Sequence, residues 1–201
     1  MKKVLFILFV LILTACSDKG ETLPLQGKDE VISIPVENFP NTPGSYWKYA
    51  YFDSLSSTAD TVLVSVSENF SAGDTTLWEY HFKTGIDSQF VVNIQDTVKI
   101  FEYRNYEYPR YVIIFPLQVG TSWKNRFYAD SVVTVENIPV LGKTLQAYII
   151  RENWGNLNDY GTITSWIVPG IGMVKKVHTG YSFGAANNTW TLLGFTIQDK
   201  M

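Results

Sequence analysis

The stretch FEYRNYEYPRY, residues 101–111, holds the densest set of side chains suited to molecular recognition in this sequence. Tyrosine and arginine are enriched where one protein surface recognises another, and tyrosine rings can also stack on sugars. A candidate binding patch for a protein or glycan partner therefore consists of Tyr103, Arg104, Tyr106, Tyr108, Arg110 and Tyr111. The same stretch also fits a hairpin with its tip near Asn105, in which Tyr residues and Glu/Arg pairs meet across two strands. Both interpretations stay open.

Groups that could catalyse a reaction or hold a metal are sparse. His81 and His178, the two histidines, stand about a hundred residues apart, whereas zinc needs three or four ligands. The sequence has no G-x-S-x-G elbow and no glycine-rich phosphate loop that opens a helix. Glu102 and Glu107 could in principle act as the two acids of a glycoside hydrolase. We expect no catalytic residues, no metal and no cofactor.

The N-terminus predicts export and lipid attachment. Lys2 and Lys3 precede an unbroken apolar run, residues 4–13, which suits a signal peptide. The run is too short for a spanning helix, which needs roughly 20 residues. Residues 13–16, LTAC, then resemble the lipobox of bacterial lipoproteins. This resemblance implies that residues 1–15 are cleaved off as a signal peptide and that Cys16, the only cysteine, carries acyl chains.

Residues 16–38 are predicted to be the lipidated cysteine and a flexible tether, because they are rich in charge, glycine and proline. A coil of about twenty residues spans on the order of 25 Å. Several acyl chains hold a protein stably on a bilayer, so the membrane is the first expected partner, through Cys16. Ser17, rather than aspartate, follows the cysteine, which favours the outer membrane.

Charge and composition limit the remaining partners. The formal net charge of the whole chain is −3, and no basic patch stands out, so we expect no binding to nucleic acid. Apolar residues make up 46% and aromatic residues 15% of the chain, which supports a folded core. Stability must come from packing, since no second cysteine is available for a disulfide.

Strand patterns dominate after residue 46. Runs rich in Val, Ile, Thr, Tyr, Phe and Trp recur about every ten residues, separated by Gly, Asn, Asp or Pro. In TLWEYHFK, residues 76–83, Trp78, Tyr80 and Phe82 share one face of the predicted strand. The pattern predicts an all-β fold: an antiparallel meander of about 10–12 strands. It forms a curved sheet or barrel, or a sandwich, in a single domain over residues 39–201.

The sequence also contains an internal repeat. FPNTPGSYWK (39–48) returns as FPLQVGTSWK (115–124), and TLWEYHFK and TVKIF match TLQAYIIR (144–151) and MVKKV (173–177). We infer two duplicated halves, about 39–114 and 115–199. In each copy a glycine permits a positive-φ turn and the following tryptophan begins a strand. We predict that these tryptophans plug the core and are not exposed ligand platforms.

The second half resembles a known group of proteins. FPLQVGTSW, LQAYIIR and SWIVPGIGMVKK are similar to motifs of uncharacterised bacterial envelope lipoproteins, over about residues 115–177. That family is distantly similar to the curved sheets of lipoprotein carriers and receptors, but this sequence lacks the helices that cover the carrier's hollow. The resemblance supplies no catalytic residues.

Three functions remain open from the sequence. The first is a lipid-anchored, non-catalytic binding module of the cell envelope. The second is a carrier-like protein that holds a lipid or other amphiphile in an apolar hollow. The third is a glycan or peptidoglycan hydrolase. An aromatic-lined cavity would favour the carrier, two carboxylates about 5–10 Å apart in a cleft would favour the hydrolase, and a filled interior would favour the binding module.

Overall fold

Twelve β-strands arise where the sequence alternates β-branched or aromatic residues with polar ones. The computed structural model describes residues 39–68, 75–102, 108–125, 128–155, 159–181 and 187–198. All of them belong to one unit, Val31–Met201. The strands are β1 (Tyr46–Asp53), β2 (Thr58–Glu68), β3 (Thr75–Phe82), β4 (Gly85–Ile94), β5 (Thr97–Phe101), β6 (Tyr111–Ile114), β7 (Ser122–Asn125), β8 (Tyr128–Val140), β9 (Lys143–Gly155), β10 (Tyr160–Val168), β11 (Gly172–Gly180) and β12 (Asn187–Thr196).

The strands form one antiparallel sheet in the order β6-β5-β4-β3-β2-β1-β12-β11-β10-β9-β8-β7. Two six-stranded meanders are joined through the pairing of the first strand with the last, from Tyr46↔Thr196 to Asp53↔Asn188. The sheet curls into a nearly closed barrel. The all-β prediction is confirmed, and of the two predicted architectures the barrel is the one observed. Across the described residues no helix is long and apolar enough to cross a membrane.

The inward face of the barrel follows the alternation in the sequence. Trp78, Tyr80 and Phe82 on β3 all line the interior, as predicted from TLWEYHFK. On the other face, His81 contacts Ser65 of β2, with 3.3 Å between Nε2 and Oγ. Period-two alternation therefore decided correctly which side chains of β3 enter the barrel.

The repeated FP…G…WK segments form the same backbone turn. Gly44 donates from its amide to Val66 O of β2 at 2.8 Å, and Gly120 donates to Val132 O of β8 at 2.9 Å. Both glycines have positive φ, 85° and 89° respectively, a conformation that costs glycine little. All three sequence matches relate strands six apart in the chain: β1 to β7, β3 to β9 and β5 to β11. The origin of the halves by duplication stays a prediction.

Both repeated tryptophans are buried. Trp47 is 1% exposed and Trp123 is 8% exposed, which confirms the predicted structural role. Each indole also donates a hydrogen bond across the barrel: Trp47 Nε1 to Ile171 O at 2.6 Å, and Trp123 Nε1 to Val112 O at 2.8 Å. The rings therefore make buried contacts between segments of the barrel and do not serve as exposed platforms.

The barrel has one seam, between β6 and β7. Within the described residues no backbone ladder joins these two strands. Side chains bridge them instead: Trp123 bonds Val112 O, and Asn125 Nδ2 donates to Pro109 O at 2.7 Å and to Arg110 O at 3.1 Å. The seam is thus closed by side chain to backbone contacts.

Candidate ligand-binding cavity

Two groups of aromatic rings fill different levels of the barrel. In the first group, the Trp47 and Trp78 rings stack at 4.9 Å, and Phe39 stacks on Trp78 at 5.9 Å. The second group surrounds Trp190 of β12, whose ring meets Tyr51 at 4.9 Å. Its other edge-to-face contacts are with Tyr49, Tyr80 and Phe82, at 5.8–6.2 Å.

A cavity of about 240 Å³ lies between these rings and the opposite wall. Every strand except β7 contributes lining residues, and most of them are aromatic or aliphatic. The cavity reaches the surface, because one lining residue, Asp87 of β4, is exposed. Two hydroxyl groups of the wall donate within the protein: Tyr49 Oη to Met173 O at 2.7 Å, and Tyr80 Oη to Gln89 Oε1 at 2.8 Å.

A pair of buried carboxyl groups forms one polar end of this cavity. Asp130 of β8 and Glu152 of β9 are directly opposite each other in the ladder. They are only 5% and 6% exposed, and their carboxyl groups are hydrogen-bonded to each other. Burial raises the pKa of Glu152, and the neighbouring charge of Asp130 raises it further. Burial also raises the pKa of Asp130. The pair therefore shares a proton near neutral pH.

A half-buried lysine faces the carboxyl pair from β11. Lys176 Nζ lies 4.6 Å from the centre of the Trp190 ring, within cation–π distance. Burial lowers the pKa of Lys176 to about 8, and the charge of Glu152 opposes this shift. Asp130, Glu152 and Lys176 together carry one shared proton and one ammonium group, so the polar end is close to electrically neutral.

Two more buried polar atoms lie beyond Glu152 on the same face of the sheet. Trp154 is two residues along β9, and His178 is two residues beyond Lys176 on β11. Their rings meet edge to face at 5.7 Å. The Trp154 ring can lie across β10 because Gly161 has no Cβ, which would fall 2.5 Å from the indole. Within the described part of the chain, Trp154 Nε1, His178 Nε2 and Glu152 Oε1 have no hydrogen-bond partner.

The predicted binding patch is only partly within the described residues. Tyr103, Arg104 and Tyr106 lie outside them, so their place in the patch stays a prediction. Tyr108 is 55% exposed, as a recognition surface requires. Arg110 pairs across the hairpin with Glu102, 2.6 Å between Nη1 and Oε1. Tyr111 lines the interior cavity.

The hairpin interpretation of residues 101–111 agrees with the pairing of β5 with β6, which brackets this segment. The Glu102–Arg110 ion pair is one of the expected cross-strand Glu/Arg pairs. Glu107, the other acid of the carboxylate pair considered for hydrolysis, lies outside the described residues. The two histidines face opposite sides of the sheet. In the described ranges, no three His, Cys, Asp or Glu side chains converge as metal ligands.

Sequence reasoning missed the charged groups inside the barrel. Asp130, Glu152 and Lys176 belong to three strands and converge only through strand pairing and barrel closure. A signal was present, because Glu152 stands between Ile150 and Trp154 in the alternation of β9 and so occupies an inward position. A charged residue at an inward position of a strand deserves the same weight as a motif.

Comparison with known proteins shows only a similarity in the arrangement of the strands. No family model matches the chain, and no curated protein sequence matches it. One similar structure is a candidate lipoprotein of Parabacteroides distasonis ATCC 8503, with 12% sequence identity and a TM-score of 0.46. The match covers 79% of this chain and 98% of that one.

Another similar structure is a candidate exported protein with a YmcC-like fold from Bacteroides fragilis NCTC 9343. Its sequence identity is 10% and its TM-score is 0.45, over 82% of this chain and 100% of that one. Because both TM-scores are below 0.5, we draw no functional conclusion from either likeness.

Proposed function

We propose that this protein is a lipid-anchored cell-envelope protein that binds a small, mainly apolar ligand inside its barrel without transforming it. The observation that carries the proposal is the aromatic-lined cavity of about 240 Å³, which reaches the surface at Asp87. Aromatic walls with a few convergent polar groups are typical of small-molecule sites. The leader and Cys16 support attachment to a membrane, and Ser17 favours the outer membrane.

The size of the cavity limits the ligand. An engineered cavity of about 150 Å³ accepts benzene, whereas drug-sized ligands occupy about 300–1,000 Å³. A volume of about 240 Å³ lies between these values. It suits one or two fused rings, or a short alkyl chain. We therefore favour a compact ligand over a lipid with two long acyl chains, which the carrier-like alternative would hold.

The geometry of the carboxyl pair favours binding over hydrolysis. Glycoside hydrolysis uses two carboxyl groups about 5–10 Å apart, with the sugar between them. Asp130 and Glu152 are instead direct ladder partners whose carboxyl groups raise and lower each other's pKa as close neighbours, which is not the arrangement of two acids on either side of a sugar. A protein or glycan partner at the 101–111 patch remains compatible with this proposal, because Tyr108 lies on the outer surface.

Equilibrium dialysis with 1-methylnaphthalene tests the proposal. The lipidated protein in phospholipid nanodiscs is expected to bind one equivalent saturably, above the partitioning into empty nanodiscs. Ser165→Phe places a ring in the cavity, which Ser165 lines, and should abolish this binding. The matched variant Thr164→Phe changes the preceding residue of β10, which lines a separate groove on the outer face of the sheet. This variant should bind the ligand normally. Absence of saturable binding to the wild type, or equal binding by all three proteins, would exclude the cavity as the site.

A further inference from the structure

One buried carboxyl oxygen of the cavity wall has no hydrogen-bond partner among the described residues. The hydroxyls of Tyr49 and Tyr80 already have protein acceptors, and the Tyr111 hydroxyl accepts from Arg110 Nε. Glu152 is different, since it is 6% exposed and lines the cavity, and its Oε1 atom has no partner among the described residues. A buried polar atom without a partner is destabilising, so such an atom beside a cavity indicates a ligand contact.

We propose that Glu152 Oε1 anchors the polar end of the cavity ligand, and that this ligand is an uncharged molecule with an apolar ring body and one hydroxyl-type group. This inference rests on the proposed function, because it assumes that the cavity holds a ligand. It adds the chemical class of that ligand and its orientation, with the hydroxyl towards β9 and the ring body towards Trp78 and Trp190.

The charges around Glu152 support an uncharged ligand. The Asp130–Glu152 pair shares a proton, and its remaining negative charge is balanced by Lys176. Arg110, whose charge also acts on Glu152, is already paired with Glu102 at 2.6 Å. A ligand ammonium or carboxylate would therefore enter without an uncommitted counter-ion and would lose its hydration, which is costly in a buried site. A hydroxyl group needs only one acceptor or donor.

The contribution of the hydrogen bond follows from its type. A hydrogen bond between neutral groups contributes about 0.5–1.5 kcal/mol, which corresponds to a factor of roughly two to ten in affinity. Affinities of different ligands also differ through their transfer from water. We therefore compare how much one substitution changes the affinity for each of two ligands of the same shape. The difference between these two changes, as in a double-mutant cycle, gives the contribution of the hydrogen bond.

The experiment compares 1-naphthol with 1-methylnaphthalene by equilibrium dialysis of the lipidated protein in nanodiscs. Glu152→Leu is expected to weaken naphthol binding about two- to tenfold relative to its effect on methylnaphthalene. Glu152→Gln, which keeps an oxygen acceptor, should retain most of the preference. The control Glu136→Leu makes the same chemical change at an exposed position of β8 and should alter neither affinity.

A second readout compares the two ligands on the wild-type protein. Infrared difference spectra of the wild type should show a shifted carboxyl C=O band with 1-naphthol but not with 1-methylnaphthalene, and Glu152→Gln should remove that band. Equal effects of Glu152→Leu on both ligands, together with an unshifted band, would overturn the anchor and leave the binding function intact. If neither ligand binds the wild type saturably, both proposals fail.

Discussion

Trp123 closes the barrel at its seam, so its removal should open the sheet locally before it unfolds the protein. The side chain is 8% exposed, and its indole donates to Val112 O across the seam at 2.8 Å. A ring of this kind buries about 150–250 Å², or roughly 4–6 kcal/mol at about 25 cal/mol per Å². Measured tryptophan to alanine changes in cores cost about 3–5 kcal/mol. We expect Trp123→Ala to lower the free energy of unfolding by that amount.

Trp123→Phe separates the hydrogen bond from the packing. Phenylalanine keeps much of the apolar area but leaves Val112 O without its donor, which costs about 1–3 kcal/mol. At about 2–4 °C per kcal/mol for a domain of this size, the melting temperature should fall by roughly 2–12 °C. Trp47→Phe is the matched control, because Trp47 also donates its indole hydrogen bond but lies in a strand with ladders on both sides.

Hydrogen exchange distinguishes opening of the seam from uniform loss of stability. In Trp123→Phe, amides of residues 111–114 and 122–125 should exchange faster than the global unfolding rate allows, whereas Trp47→Phe should speed exchange only through global unfolding. An unchanged denaturant midpoint in Trp123→Ala would show that the ring is not packed as described. Identical exchange patterns in the two phenylalanine variants would refute the special role of the seam.

Two further outcomes follow from the anchor and the buried acids. Cys16→Ser should release the exported protein from membranes, measured by sedimentation, and a protein that still sediments unchanged would contradict lipid attachment. Burial raises the pKa of Glu152 and of Asp130, so the folded state binds more protons than the unfolded state. The contribution of these two carboxyl groups to stability should therefore fall as the pH rises from about 4 towards 8. The fall should be shallower in Glu152→Gln, as urea midpoints at pH 5 and pH 8 would show. Parallel pH profiles of the two proteins would contradict the buried position of Glu152.

Local patterns were sufficient to predict the strands and their inward faces. Trp78, Tyr80 and Phe82 follow a period of two within one strand, so no knowledge of the partner strands was needed. The positive φ of Gly44 and Gly120 was also local, since it follows from a turn that occurs twice in the sequence. These predictions depend only on neighbouring residues, and strand geometry fixes the outcome.

Local patterns could not predict that the sheet closes into a barrel. Whether β1 pairs with β12 depends on the twist and register of all twelve strands, which a sequence of separate alternations does not specify. The same limitation hid the site. Asp130 and Glu152 are separated by 22 positions and become neighbours through the β8–β9 register. Tyr111 was assigned to a surface patch, but its strand turns the ring into the cavity.

The two halves of the barrel differ where the site lies. The match of TVKIF with MVKKV pairs Ile100 of β5 with Lys176 of β11, and both side chains line the cavity. An apolar residue therefore satisfies the fold at this position in the first half. The strand therefore does not require the charge of Lys176 in the second half. This charge faces Glu152, another charged group of the same half. Buried charges that a fold does not need are costly to keep. Their concentration on one wall of an otherwise apolar cavity is best explained by a ligand with one polar end.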